Sequence, residues 1–381
     1  MSWPLVKLAD IANVVTGATP KKRSEYYDGD VPFVTPGDLG KISGITSTSR
    51  TLTQEGADSV RSIPVGSVMV CCIGATIGKV GIAEKTVVTN QQINSLVVDE
   101  RKAFPKYVYY YCTTLKEKLK AASSSTTIPI VNKSNFSQFE IPLPPIDEQK
   151  WIAAILDKAD VIRQKRKQAI ALADEFLRSV FLDMFGDPVT NPKGWEVKPV
   201  GELVKCIVPG RDKPKSFTGE MPWITTNDLQ HLGTTTNSDK GLGLSDEEIS
   251  AVKARIIPKG SVLMTCVGDL GIISLAGNDL VMNQQLHAFL NSEYFEQEFL
   301  MFTLSFQKQY MLKMASSTTV PYMNKTVCNS VPVIVPTLKL QQQFKKIYLN
   351  TVCITGKYQN SKCDKLNLFN YLSQKAFSGQ L

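Results

Sequence analysis

The chain has 381 residues, 43% of them hydrophobic and 20% charged, with a formal net charge of +8. That length exceeds what one core usually fills, so two domains are expected, and the ordinary apolar content excludes disordered and fibrous classes. No apolar run approaches the roughly 18–20 residues a bilayer span needs, and residues 1–7 lack the apolar stretch of a signal peptide, so a cytoplasmic protein with no membrane partner is expected.

The eight cysteines form no C-x-x-C pair, and Cys71 and Cys72 adjoin on an apolar run, which favours reduced core thiols. With His231 and His287 as the only histidines, no metal site of ordinary zinc-ligand composition is expected. The positive charge suits a polyanion, and its location is uneven: +4 over residues 1–146, −1 over 147–187, −1 over 188–337 and +6 over 338–381. Basicity alone therefore does not establish a nucleic-acid partner.

In chain order, Trp3 opens a Gly-punctuated region whose strand candidates are apolar, β-branched runs such as residues 67–73 and Val97-Val98. A basic loop at 16–30 precedes them. Ile141-Pro142-Leu143-Pro144-Pro145 then forms a hinge that stops regular structure and introduces a helix, with Asp147 as its expected N-cap. Apolar or small residues recur at Ile152, Ile155, Ala159, Ile162, Ala169, Ala173, Phe176 and Val180, a heptad seam, with Gly186 in the expected left-handed position after it.

The rest of the chain repeats this order. STTIPIVNK at 125–133 returns as STTVPYMNK at 317–325, GSVMVCCIG at 66–74 as GSVLMTCVG at 260–268, VPFVTPGDL at 31–39 as MPWITTNDL at 221–229, and Asn90-Gln91-Gln92 as Asn283-Gln284-Gln285. The offsets stay near 192, so the chain is an internal duplication. The seam returns at Phe344, Ile347, Thr351, Ile354, Leu368 and Leu372, weakened by Ser361 and Lys365. Two such helices, each on the order of 55 Å long, are expected to pair as an antiparallel coiled coil with pseudo-two-fold symmetry. The alternative is that each helix packs on its own lobe. The fold class expected is α+β: two similar mixed α/β domains at 1–146 and 188–337, separated by helices at 147–187 and 338–381.

The duplicated lobe and helix, with the strings NQQ, S-S-S/T-T-x-x-P, I-P-L-P-P-x-x-E-Q and M-F-G-D-P-V-T-N-P-K-G-W, resemble the specificity subunits of type I restriction-modification systems over essentially the whole chain. The resemblance implies two target recognition domains, each binding one half of a split, asymmetric site in double-stranded DNA, with the helices as spacer and docking surface. It implies as partners two methyltransferase subunits that modify adenine and two restriction subunits. S-adenosylmethionine, ATP and magnesium would belong to those partners, with no cofactor on this chain. The second hinge departs from the pattern, reading Pro336-Thr337-Leu338-Lys339-Leu340-Gln341, which puts docking at that end in doubt.

The lobes differ most in their basic loops, so the candidate DNA-contacting residues are Lys21, Lys22, Arg23 and Tyr26 in the first and Arg211, Lys213, Lys215 and Phe217 in the second. Arg and Lys neutralise phosphates and pair with guanine, and an aromatic beside them offers a contact face. The repeated Asn-Gln-Gln suits adenine, yet a motif unchanged between lobes that read different sequences favours a structural role. The same holds for Asn132-Lys133 and Asn324-Lys325.

No catalytic motif is complete in the sequence, and no catalytic residue is assigned. Residues 74–80 resemble a phosphate-binding loop, but the second copy, Gly268-Asp269-Leu270-Gly271, keeps the glycines and drops the lysine, which fits a turn; Lys79 is retained as a candidate DNA contact. Asn191-Pro192-Lys193-Gly194 fails the methyltransferase tetrapeptide at its third residue, and the Glu-x-Lys triplets at Glu100, Glu148 and Glu196 lack a paired metal-binding carboxylate. Two other readings remain open: the specificity subunit of a fused restriction-methylation system, and a two-lobed coiled-coil scaffold that never meets DNA.

Overall fold

The computed structural model describes residues 3–21, 24–40, 44–123, 129–210, 212–316 and 320–381, with backbone alone at 355 and 357–368. The chain divides into two compact units, Met1–Gln168 with Tyr358–Leu381, and Ala169–Lys357. The dividing lines fall inside the two long helices, Ile146–Phe185 and Leu338–Ser378. Where the sequence suggests spacers at 147–187 and 338–381, the compact units thus take part of each helix.

In the first unit, an antiparallel sheet runs in the order Ala12–Thr16, Ile93–Val98, Val68–Cys71, Val80–Ile82. A mixed sheet runs Thr51–Leu52, Tyr27–Val34, Val87–Thr89, Ser62–Ile63, with Tyr27–Val34 and Val87–Thr89 parallel. Strand Val68–Cys71 is buried on both faces. Val68 and Val70 enter the core beneath helix Pro105–Thr113, while Met69 and Cys71 enter a separate core with Val34, Ile63 and Val87. That two-sided burial explains why its sequence is continuously apolar rather than alternating.

The second unit repeats this plan. Its antiparallel core runs Cys206–Ile207, Leu286–Phe289, Val262–Thr265, Ile273–Ala276, and Thr234–Thr235 adds a parallel edge. A three-stranded sheet, Gly243–Leu244, Met221–Ile224, Val281–Met282, matches the mixed sheet of the first unit.

The hinges are short strands. Glu140–Pro142 pairs with Leu5–Lys7, and Pro332–Ile334 with Val197–Pro199. The first long helix starts at Ile146, one residue before the expected cap. Asp147 lies inside the first turn, and the amides of Glu148 and Gln149 bond the Pro145 carbonyl. Gln149 is fully buried: its Nε2 donates to Pro144 O at 2.8 Å and its Oε1 accepts from Phe104 N at 2.8 Å. Gln341 does the same in the second unit, donating to Pro336 O at 2.9 Å and Tyr294 O at 3.2 Å and accepting from Glu296 N at 3.0 Å. The divergent second hinge therefore keeps the one side chain that locks strand to helix.

Gly186 is left-handed at φ 75°, with its amide on Leu182 O at 2.8 Å, and Trp195 Nε1 donates to Phe185 O at 2.8 Å. The FGDP…GW junction is thus a helix stop. In the first unit, Ile152, Ala153 and Leu156 from the start of the first helix share a core with Phe369 and Ala376 from the end of the second. In the second unit, Leu177, Phe181 and Phe185 share one with Phe344 and Tyr348. In each unit a helix start meets a helix end, the order antiparallel pairing requires.

The buried face keeps the expected seam at Ile152 and Phe344, both fully buried, and departs from it elsewhere. Phe176 is 52% exposed beside Leu177 at 5%, and Ile162 and Ile354 are 48% and 60% exposed. Ile155 and Ala169 are half-buried, and Ala159, Leu372, Val180 and Ile347 pack only at the core margins. The side chain of Leu368 lies outside the described residues. The reason is that each helix end is enclosed by the other long helix and by a helix of its lobe, Pro105–Thr113 or Gln297–Phe306. It therefore buries a broad stripe centred one residue away from a narrow two-helix seam. Tyr110 and Lys106 both reach Asp157, and Phe181 lies within 5.7 Å, ring to ring, of Phe299, Phe302, Phe306 and Phe344. The expectation that each helix packs on its own lobe and the expectation of helix pairing thus both describe part of these cores.

Candidate nucleic-acid interface

Each lobe sends its first core strand directly into its basic loop. In the first unit Ala12–Thr16 ends at Gly17, whose amide bonds Ile93 O at 3.0 Å. A Cβ at Gly17 would sit 2.2 Å from Asn90 O, so only glycine lets the strand leave flat against this neighbour. Thr19 Oγ1 then donates to Gln91 Oε1 at 2.6 Å. In the second unit Gln284 Nε2 donates to Gly210 O and to Asp212 O, both at 3.1 Å.

The middle glutamine of each Asn-Gln-Gln therefore ties down the root of the basic loop. The outer two residues close on each other: Asn90 Nδ2 donates to Gln92 Oε1 and Asn283 Nδ2 to Gln285 Oε1, each at 3.1 Å. Asn132 and Asn324 cap short helices, accepting from Asn135 N at 2.8 Å and Val327 N at 2.9 Å. These repeated motifs hold the scaffold, which is why they persist in both copies.

Beyond the roots the loops are exposed. Lys21, Lys213 and Lys215 face solvent, while Tyr26 is half-buried in a short 3-10 turn, Ser24–Tyr26. Phe217, 36% exposed, leans on Trp223 with ring centroids 5.9 Å apart. Lys22, Arg23 and Arg211 lie outside the described residues. The far end of the second loop is held by Glu248, which accepts from the Ser216 hydroxyl and from the amides of Ser245 and Thr218. These bonds hold its carboxyl down at about 2.

Lys79 is placed otherwise. It is half-buried, with Nζ 3.4 Å from Pro36 O, and follows a turn between antiparallel strands whose Gly74 and Gly78 are left-handed. Gly268 and Gly271 adopt the same conformation in the second copy. Its ammonium caps a carbonyl.

Two cations escaped the sequence reading. Arg50 lies 5.0 Å from the Tyr27 ring centroid and 5.6 Å from that of Phe33, and Arg255 Nη1 donates to Val208 O at 3.3 Å, beside the second loop's root. Nothing in their local sequence marks them, because the aromatic partner and the loop lie more than fifteen residues away. Asp38 and Asp228, one in each copy, are turn closers. Burial alone would raise their carboxyls, but amide and hydroxyl donors outweigh it and hold both below the usual range. The donors are Ser49 and Thr35 in one, Thr225, Asp239 and Ser238 in the other. Glu196 is paired with Lys198 at 2.9 Å.

Among the described residues no helix is long and apolar enough to cross a membrane. The family model for the type I restriction modification DNA specificity domain matches this chain twice, at 2–172 and 192–352. The chain is similar to the MjaIX specificity subunit of a type I restriction enzyme from Methanocaldococcus jannaschii, 27% identical over 91% of this chain and 85% of that one. It is also similar to the HindI specificity subunit of Haemophilus influenzae, 34% identical over 43% and 38%. Its fold resembles the crystal structure of a type I S subunit from M. genitalium, with TM-score 0.63, 16% identity and 98% and 96% of the two chains covered. A chain solved in work on assembly and conformational transition of the type I R-M system gives 0.54, at 17% identity over 100% and 98%. Two matched domains, two copies of one fold and a basic loop anchored alike in each converge on one conclusion: the chain belongs to the type I restriction-modification DNA specificity family and is a DNA-recognition subunit.

Proposed function

We propose that each lobe reads one half of a bipartite, asymmetric target in double-stranded DNA. Lys21, Lys22, Arg23 and Tyr26, with Arg50, serve one half, and Arg211, Lys213, Lys215 and Phe217, with Arg255, the other. The observation that carries this is the shared anchor: Gln91 and Gln284 fasten loops of different sequence to equivalent strands. A common scaffold with variable, exposed, cationic loops is what two separately tuned readers need. The chain itself supplies binding. Adenine methylation with S-adenosylmethionine falls to methyltransferase subunits, two per complex, and ATP- and magnesium-dependent cleavage to restriction subunits.

The test is a lobe exchange. Replacing residues 188–337 with the equivalent lobe of another such subunit, and assembling it with the methyltransferase, is expected to alter one half of the methylated motif in methylome sequencing and leave the other unchanged. A folded chimera that changes both halves, or neither, would refute the modular reading. Methylation by the pure chain alone would refute its division of labour.

A further inference from the structure

The sequence reading expects no zinc site because the chain holds only two histidines. Yet the fold of the second unit brings one of them against two cysteines 62 residues apart. Cys266 Sγ and Cys328 Sγ are 3.5 Å apart, His287 Nδ1 is 3.0 Å from Cys328 Sγ, and all three ligand atoms lie within 4.8 Å of one another. All three residues are buried. His287 stands on the inner strand Leu286–Phe289 and Cys266 just beyond the adjoining central strand Val262–Thr265. Cys328 lies on the short helix capped by Asn324.

The first unit supplies an internal control. By the repeat, Cys266, His287 and Cys328 correspond to Cys72, Asn94 and Phe136. Cys72 is hydrogen-bonded to Asn94 and stays a neutral thiol, pushed up by burial to about 12. The same fold thus closes there with an amide and a phenyl ring, so packing does not call for the histidine and second thiol. In the second unit the bond from Cys266 and the His287 imidazole pull the Cys328 thiol downward against its burial, while burial and that same bond push Cys266 up.

We propose that Cys266 Sγ, His287 Nδ1 and Cys328 Sγ form a binding site for one thiophilic metal ion, which fastens the Asn324-capped helix to the sheet of the second lobe. Around a tetrahedral zinc ion, ligand sulfurs stand about 3.8 Å apart and sulfur and nitrogen about 3.6 Å, so closure asks the sulfurs, now 3.5 Å apart, to part by about 0.3 Å and His287 Nδ1, now 3.0 Å from Cys328 Sγ, to draw back by about 0.6 Å. Binding releases the remaining thiol protons to solvent and changes no oxidation state. Three protein ligands complete the shell of a trigonal monovalent ion such as Cu⁺ and leave one position open on tetrahedral Zn²⁺.

The test uses the full chain in a Cys353→Ser, Cys363→Ser background, so that neither the exposed Cys353 thiol nor Cys363 takes up metal. Apo protein is loaded separately with Zn²⁺ and with Cu⁺ and dialysed against a weak chelator, and bound metal is measured by mass spectrometry; Co²⁺ loading reports thiolate ligation by its charge-transfer absorption. The expected result is one ion per chain, with the better-retained probe identifying the ion. Retention is expected to fall at least about tenfold in Cys328→Ser and in His287→Asn, which copies Asn94 and so provides a variant already compatible with this fold. Circular dichroism of each apo variant checks that it is folded. Equal retention in wild type and His287→Asn would overturn the proposal. So would a Cys266–Cys328 disulfide in protein isolated with its thiols blocked.

Discussion

Gln341→Leu isolates the lock between hinge and helix in the second unit. Leucine is close to glutamine in volume, so the change removes hydrogen bonds with little change in packing. Three are lost: the donations to Pro336 O and Tyr294 O and the acceptance from Glu296 N. A buried polar group left without a partner costs about 1–3 kcal/mol. The Glu296 amide bears most of this, and the apolar leucine offsets part, leaving a net loss of about 2–3 kcal/mol. At 1.4 kcal/mol per factor of ten, amide exchange that proceeds through opening of this region should accelerate roughly 30- to 140-fold. Hydrogen exchange on the full chain reads this segment by segment, avoiding a single unfolding free energy for a two-unit protein. Acceleration is expected around residues 294–300, with residues 102–108 of the first unit unaffected. Gln149→Leu should reverse the pattern, through the bond from Phe104 N. Unchanged protection in both variants would refute the lock.

Phe181→Ala should cost about 3–5 kcal/mol, because the ring is fully buried among five other phenylalanines; chemical denaturation followed by Trp195 and Trp223 fluorescence measures it. Gln284→Ala should lower methylation at one half-site about tenfold while leaving the thermal midpoint within a few degrees, and Gln91→Ala should do so at the other; equal losses at both halves would contradict separate anchoring. The Ile273 amide donates to His231 Nδ1 at 3.2 Å, and burial, then Lys308, lower the pKa of this imidazole against the opposing pull of Asp174 and Asp269. The unfolded chain therefore takes up the proton first. This contribution to stability is complete above about pH 6.5 and declines as the pH falls below it, a slope that His231→Gln should remove from denaturation midpoints.

The duplication made the two-lobe plan legible, since strings such as GSVMVCCIG and GSVLMTCVG return as strands in equivalent sheets. Paired glycines identified Gly74 and Gly268 as turn residues, and the unchanged Asn-Gln-Gln pointed correctly to scaffolding. The buried helix face was legible only in part: the expected seam residues Ile152 and Phe344 are buried, but Leu177 and Phe176 are both apolar, and which one turns inward depends on a lobe helix more than a hundred residues away. Arg50 on Tyr27, and the convergence of Cys266, His287 and Cys328, likewise depend on tertiary approach without a local pattern. Lys79 shows the same limit: a lysine after a glycine turn reads alike in the sequence whatever stands opposite it, and only the fold sets its ammonium 3.4 Å from the Pro36 carbonyl.

The division of the chain into units has a consequence for synthesis. The second unit, 169–357, is one continuous stretch, whereas the first needs residues 358–381 as well. Phe369 and Ala376 are buried in the first core, and Phe377 lies 5.4 Å from Tyr107 and 5.1 Å from Tyr111, ring to ring. On the ribosome, the lobe translated first therefore waits for residues 358–381, with its apolar face open, while the later lobe already has every element it requires. Truncation after residue 357 would spare the second reader and uncover the first, so incomplete chains expose a hydrophobic surface by which a quality-control protease can remove them.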